Sequence, residues 1–207
     1  MHCLADIKKY RETESGTDLI IHMPDKVGYY FTEKQCKNIE IRLDDGRTIT
    51  ALQRKKVYAT IRDIALWSGY VPEEQKEWLK YLYIEQTGEP YFSLSDCSID
   101  TAREFIGCIL EYALKEHIPL SDDGVDRAED VGKYLWCCIK YRRCAVCGQD
   151  GEVHHVDAIG MGRNRDKIDD SAHRKICLCR KHHIAAHNLG INRFESMYHV
   201  YGIIFND

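Results

Sequence analysis

Four cysteines and seven of the ten histidines crowd into the chain from Cys144 onward, which limits what this part can fold into more than any hydrophobic pattern does. The cysteines are Cys144, Cys147, Cys177 and Cys179; the histidines are His154, His155, His173, His182, His183, His187 and His199. Disulfides persist mainly in secreted proteins, and clustered thiols elsewhere more often hold metal. The first residues, MHCLADIKKY, lack the apolar core of a signal peptide, and no stretch approaches the roughly 18 to 20 apolar residues that span a bilayer. A cytoplasmic chain with no membrane partner is expected, and with it a metal-binding role for the cluster.

Cys144-Ala-Val-Cys147-Gly148 is a knuckle whose tight turn lets two thiolates face one ion, while glycine accepts left-handed backbone. Cys179-Arg-Lys-His182 repeats the two-residue spacing. The four donors make a closed tetrahedral set of three sulfurs and one imidazole, the form that structural zinc takes. Cys177 is the alternative to Cys179, although it leaves four residues rather than two before His182. Cys3, Cys36, Cys97, Cys108, Cys137 and Cys138 are scattered in apolar contexts and read as small buried hydrophobes.

His183 and His187 are four apart in the helical pattern HHIAAHNLG, so both project from one face and can grip a second ion, whereas His182 is left to the zinc staple. His154 and His155 sit between Val153 and Val156, a strand-like setting in which two adjacent imidazoles suggest two different tasks. Asp157 offers an oxygen ligand beside them. Gly160-Met161-Gly162-Arg163-Asn164-Arg165 is a glycine-punctuated basic loop; Arg163 and Arg165 suit phosphate contacts, with Arg174, Lys175, Arg180 and Lys181 extending the same surface. A solvated loop is the bland alternative.

Net charge decides little. The chain is at −4 overall, but residues 144–207 hold eight basic against eight acidic side chains, before any metal adds positive charge. A local basic face is what phosphate binding requires.

The 207 residues, 44% hydrophobic and 30% charged with four prolines, belong to a folded chain with room for one large or two small domains. An α+β fold is expected, with an α+β domain over residues 1–143 and a small zinc-stapled module over residues 144–207. The first 50 residues read as short antiparallel strands: DLIIHMP, GYYF, and KNIEIRL turning at Asp44-Asp45-Gly46 into RTIT. Helices follow from Thr50 to Gly69, from Pro72 to Gly88, from a cap at Asp100 through AREFIGCILEYALKEH, and over AEDVGKYLWCCIKYRR. No Gly, Ser or Pro linker separates the last helix from Cys144, so that helix is expected to pack against the metal module. Arg54 and Lys55, with Lys56, place basic charge at a helix start, where backbone phosphates bind well.

The runs CAVCG, HHVDAIGMGRNR and LCRKHHIAAH resemble the HNH nuclease family, in the form encoded by phage and prophage genomes of Gram-positive bacteria. The resemblance implies a ββα-metal module, two antiparallel strands and a helix around one divalent ion. It implies that His155 is the general base, that His154, His183 and His187 hold the catalytic metal, and that His173 stands where the family has its middle asparagine. The catalytic ion is left open among Zn2+, Ni2+, Mn2+ and Mg2+; imidazole donors favour the first three. Residues 1–143 are loosely similar to the NinB (Orf) recombination proteins of phages, on Arg47, the QRKK segment, the helix after it and the FSLS stretch. The expected function is metal-dependent hydrolysis of nucleic-acid phosphodiesters, DNA above all, in phage DNA recombination or processing. Activity is expected to fall below about pH 6 as imidazoles protonate. The alternative is a zinc-ribbon nucleic-acid-binding recombination protein without catalysis.

Overall fold

The computed structural model describes residues 5–39, 41, 46–157 and 171–205. It is an α+β chain in which helices form the centre and two small antiparallel sheets lie toward the ends. The first sheet is a hairpin of β1 (Asp6–Thr13) and β2 (Gly16–His22), with Thr13 paired to Gly16 and a bulge between Ile7 and Lys9. β2 is the expected DLIIHMP strand. β1 was not anticipated, because Asp6, Lys8, Lys9, Arg11 and Glu12 mask its alternation with charge.

Two strand expectations need correcting. Gly28–Thr32 forms a short helix, α1, which closes with a bond from the Glu33 amide to the Tyr29 carbonyl. Among the described residues no strand pairs with this segment, and its amides bond within the turn instead. The RTIT segment pairs with residues far downstream: Thr48 bridges Ser98, the Ile49 amide donates to the Cys97 carbonyl, and the Ile99 amide to the Arg47 carbonyl. Most of the expected hairpin turn, Asp44 and Asp45 included, lies outside the described residues.

That bridge sets two helix starts side by side. Thr50 caps α2 (Ala51–Ser68) in a reciprocal box with Gln53, at 3.1 Å from its Oγ1 to the Gln53 amide and 3.0 Å from the Thr50 amide to Oε1. α4 (Ile99–Lys115) is capped by Ser98 on the Thr101 amide at 3.0 Å, two residues earlier than the Asp100 reading. Between them, α3 (Pro72–Thr87) begins on its proline and stops at Gly88, as α2 stops at Gly69; both glycines are left-handed.

The core grows from the inward faces of these helices. Val57, Ile61 and Ile64 of α2 and Phe105, Ile106 and Ile109 of α4 are fully buried, and Phe105 meets Tyr83 and Phe92 edge to face at 5.8 and 5.2 Å. Next come α5 (Gly124–Arg127) and α6 (Val131–Lys140), the latter capped by Asp130 on the Lys133 amide. α6 packs against α4 on one side and against the second sheet on the other.

The second sheet has the order β3 (Glu152–His155), β4 (Arg174–Leu178), β5 (Ile203–Ile204), all antiparallel. Between β4 and β5 run α7 (Arg180–Leu189) and α8 (Ile191–Tyr198). Ile176 and Leu178 of β4 join Phe194 and Val200 in the same apolar cluster as the helices, so one core continues from Ile49 to Val200. Among the described residues no helix is long and apolar enough to cross a membrane.

Candidate metal centres

The cysteine knuckle is held by backbone bonds before any ion is considered. The Cys144 amide donates to the Gln149 carbonyl at 2.7 Å, the Gly148 amide to the Cys144 carbonyl at 2.9 Å, and the Ala145 amide to the Cys177 carbonyl at 2.8 Å. Gly148 takes φ +65°, the left-handed turn the knuckle needs. Arg143, itself buried, makes an ion pair with Asp150 and a 2.8 Å hydrogen bond with His117 Nδ1, pinning the knuckle's base. The second half of the cluster begins where β4 ends: Cys179 is the N-cap of α7, and His182 lies in its first turn.

Cys144, Cys147, Cys179 and His182 thus converge, their donor atoms all within 4.8 Å of one another. Cys147 Sγ and Cys179 Sγ are 3.7 Å apart, and His182 Nδ1 is 3.3 Å from the sulfurs of both Cys144 and Cys179. A zinc tetrahedron with bonds of about 2.3 Å to sulfur and about 2.0 Å to nitrogen has edges of about 3.5 to 3.8 Å, so the donors fit that ion with little adjustment. Cys177 is not part of the set; it is fully buried in β4, and its Sγ would lie 2.9 Å from a Cβ added to Gly151.

The electrostatics of the set also call for a cation. Burial pushes the Cys144 thiol up to about 12, and burial raises that of Cys147 as well. Burial likewise works against Cys179, but bonds from the His182 and Lys181 backbone and from the neighbouring thiols outweigh it and hold that thiol below its ordinary value. His182 is lowered by burial, then by Lys181 nearby, which favours the neutral imidazole a metal needs.

A second cluster stands one face away. His154 on β3 and His183 and His187 on α7 bring three imidazoles together: ring centroids lie 4.6 Å apart for His154 and His183, 5.0 Å for His154 and His187, and 4.8 Å for His183 and His187. His183 Nε2 and His187 Nε2 are 3.3 Å apart, the edge expected of two nitrogens each about 2.0 Å from one tetrahedral ion. Burial, and then the charges of His183, His187 and His155, push His154 down to about 4. Among the described residues this cluster has three donors, one fewer than the cysteine set.

The other residues singled out in the sequence fall around these two centres. His155 ends β3 opposite Lys175 and is half-buried; the chain bends just after it, at Val156 and Asp157. His173 precedes β4, with a buried Nδ1 that has no hydrogen-bond partner among the described residues. Asp157 does not approach the histidines as a ligand. Its oxygens take the Arg174 amide at 2.7 Å and the Arg174 guanidinium at 2.8 and 3.1 Å, and those bonds to Arg174 hold its carboxyl below the usual range. The sequence held the parts of this pair but not the pairing, since 17 residues separate them. Arg54 spends its guanidinium on the Leu94 and Ser95 carbonyls at 3.0 and 2.9 Å, while Lys55 is exposed. Arg163 and Arg165 lie outside the described residues.

Two antiparallel strands and a following helix carry the histidine cluster, beside a cysteine knuckle that ties the same helix down. A family model described as "Putative HNHc nuclease" matches residues 29–206. The chain belongs to that family of HNH nucleases. No curated protein and no solved structure matches it.

Proposed function

We propose that the chain is a metal-dependent endonuclease that hydrolyses DNA phosphodiester bonds. The observation that carries this reading is the trio His154, His183 and His187, standing apart from a cysteine set that already satisfies structural zinc. Structural stapling accounts for the sulfurs, and a separate imidazole trio is the donor set a hydrolytic ion uses. His154, His183 and His187 would hold a divalent ion, which would supply positive charge for the departing 3′-oxygen. His155 takes the proton from the attacking water as the oxygen–phosphorus bond forms and the bond to the 3′-oxygen breaks. On an ideal strand His154 and His155 point to opposite faces; the end of β3 at His155 and the bend after it let both serve one site. His173, with its buried Nδ1, orients the base from the start of β4.

Residues 144–207 cut and residues 1–143 hold the substrate in this reading, with Lys55, Lys175, Arg163 and Arg165 on phosphates. Arg54 and Arg174 contribute through the loops they pin. A place in phage DNA recombination is part of this reading, resting on the loose similarity of Arg47, the QRKK segment and the FSLS stretch to NinB proteins. The test is to incubate protein reconstituted with zinc and a second divalent ion with supercoiled, linear, single-stranded and branched DNA, and with RNA. Cleavage of DNA that vanishes in His187→Ala is the expected result. Intact substrates with every ion, together with retained DNA binding, would leave the zinc-ribbon binding protein as the better reading.

A further inference from the structure

The β1–β2 hairpin precedes the stretch that the family model matches, and it buries neither face: nearly every residue of both strands is exposed or half-exposed. A two-stranded hairpin is marginal in water when nothing else packs on it. Among the described residues neither outer edge is paired, and the two edges differ. β1 carries Lys8, Lys9 and Arg11 and a bulge, devices that discourage a further strand. β2 has none of them; its edge reads Thr17-Asp18-Leu19-Ile20-Ile21-His22, with Ile20 60% exposed.

That edge is complementary to itself. Antiparallel pairing of two copies about Ile20 sets Ile20 against Ile20, Leu19 against Ile21, and Asp18 against His22. Opposed residues share a face of a sheet, and here the faces match: Leu19 and Ile21 lie with Ile7 and Tyr10, and Asp18, Ile20 and His22 lie on the other side. Centring the pair on Leu19 would oppose Asp18 to Ile20, and centring it on Ile21 would oppose Asp18 to Pro24. Registers centred between residues would set residues from opposite faces against each other. The hairpin's own cations are partly neutralised, Lys8 by Asp6 at 3.3 Å and Arg11 by Asp18 at 3.0 Å, which favours a protein over a polyanion as the occupant.

We propose that the β2 edge is a homodimer interface, with two hairpins joining into one four-stranded antiparallel sheet in the order β1-β2-β2-β1. An edge this short falls below the roughly 1,200 Å² of a stable interface, so the dimer is concentration-dependent, with a dissociation constant in the micromolar range.

Sedimentation of the zinc-loaded full chain from about 1 to 100 µM tests the proposal, because that range brackets micromolar association. The parent is expected to shift from monomer to dimer. Ile20→Lys sets like charges against each other on the two-fold axis and is expected to weaken association at least tenfold, with zinc content and thermal unfolding unchanged. Tyr10→Lys, away from the edge, is expected to dimerise as the parent does. A parent that stays monomeric overturns the proposal, as does an Ile20→Lys variant that still dimerises or a Tyr10→Lys variant that does not. A monomeric parent whose DNA affinity changes in Ile20→Lys would assign the edge to nucleic acid instead.

Discussion

Cys147 Sγ lies 3.7 Å from Cys179 Sγ across 32 residues of chain, joining the knuckle before β3 to the start of α7. Cys147→Ser removes one corner of that tetrahedron. Because apparent zinc affinity in small metal modules reaches about 10 to 16 kcal/mol and is linked to folding, the variant is expected to lose its tightly held zinc and unfold residues 144–207 at lower temperature. Elemental analysis beside calorimetry decides it; full zinc content with an unchanged transition would refute the staple.

His187→Ala takes one imidazole from the histidine trio and leaves the cysteine set untouched. The second metal is expected to be lost while the structural zinc stays, with cleavage reduced to background. Metal stoichiometry is the direct readout, and a variant that retains both ions and full activity would remove His187 from the site.

His155→Ala is expected to keep both metals, the fold and DNA affinity while losing about two to four orders of magnitude in cleavage, the usual contribution of a general base. The comparison is with His154→Ala, which should lose the second metal. If His155→Ala cuts normally and His154→Ala keeps its metal but is inactive, the two roles are exchanged.

Arg127 tests the core that supports the site. Its guanidinium, 3% exposed, meets Asp63 at 2.7 Å and Asp122 at 3.1 Å, and Asp63 is itself only 10% exposed. Arg127→Ala leaves the Asp63 carboxylate without its cation, held by the Ser121 amide at 2.9 Å and hydroxyl at 3.1 Å, at a cost of about 3 kcal/mol. In a chain of this size that corresponds to a fall in Tm of roughly 10 °C. Thermal unfolding measures it, and a loss under about 1 kcal/mol would show that the pair is solvated and weak.

Much of the fold was legible because its signals are local. Thr50 with Gln53, Pro72, Gly69 and Gly88 mark helix ends through hydrogen bonds and backbone angles that a few neighbouring residues decide. The two clusters were legible as groupings for the same reason: knuckle spacing and the four-residue interval of His183 and His187 are short-range geometry, and the structure gathers both sets of side chains so that each could hold a metal. Asp100 misled as a cap because Ser98, two residues earlier, is equally able to accept the first free amide.

The sequence by itself therefore determined the limits of α2 and α3 and the grouping of the cysteine and histidine side chains into two sets. Only the tertiary structure decided between Cys179 and Cys177, since β4 buries Cys177 in the core and places Cys179 at the head of α7. It also decided that RTIT pairs with residues 97–99, that the GYYF segment is helical, and that Asp157 holds Arg174 rather than joining the histidines. Each of these is a choice of partner, and partners come from distant parts of the chain. Local residue chemistry states what a group can bind, and packing settles which of the available groups comes within reach.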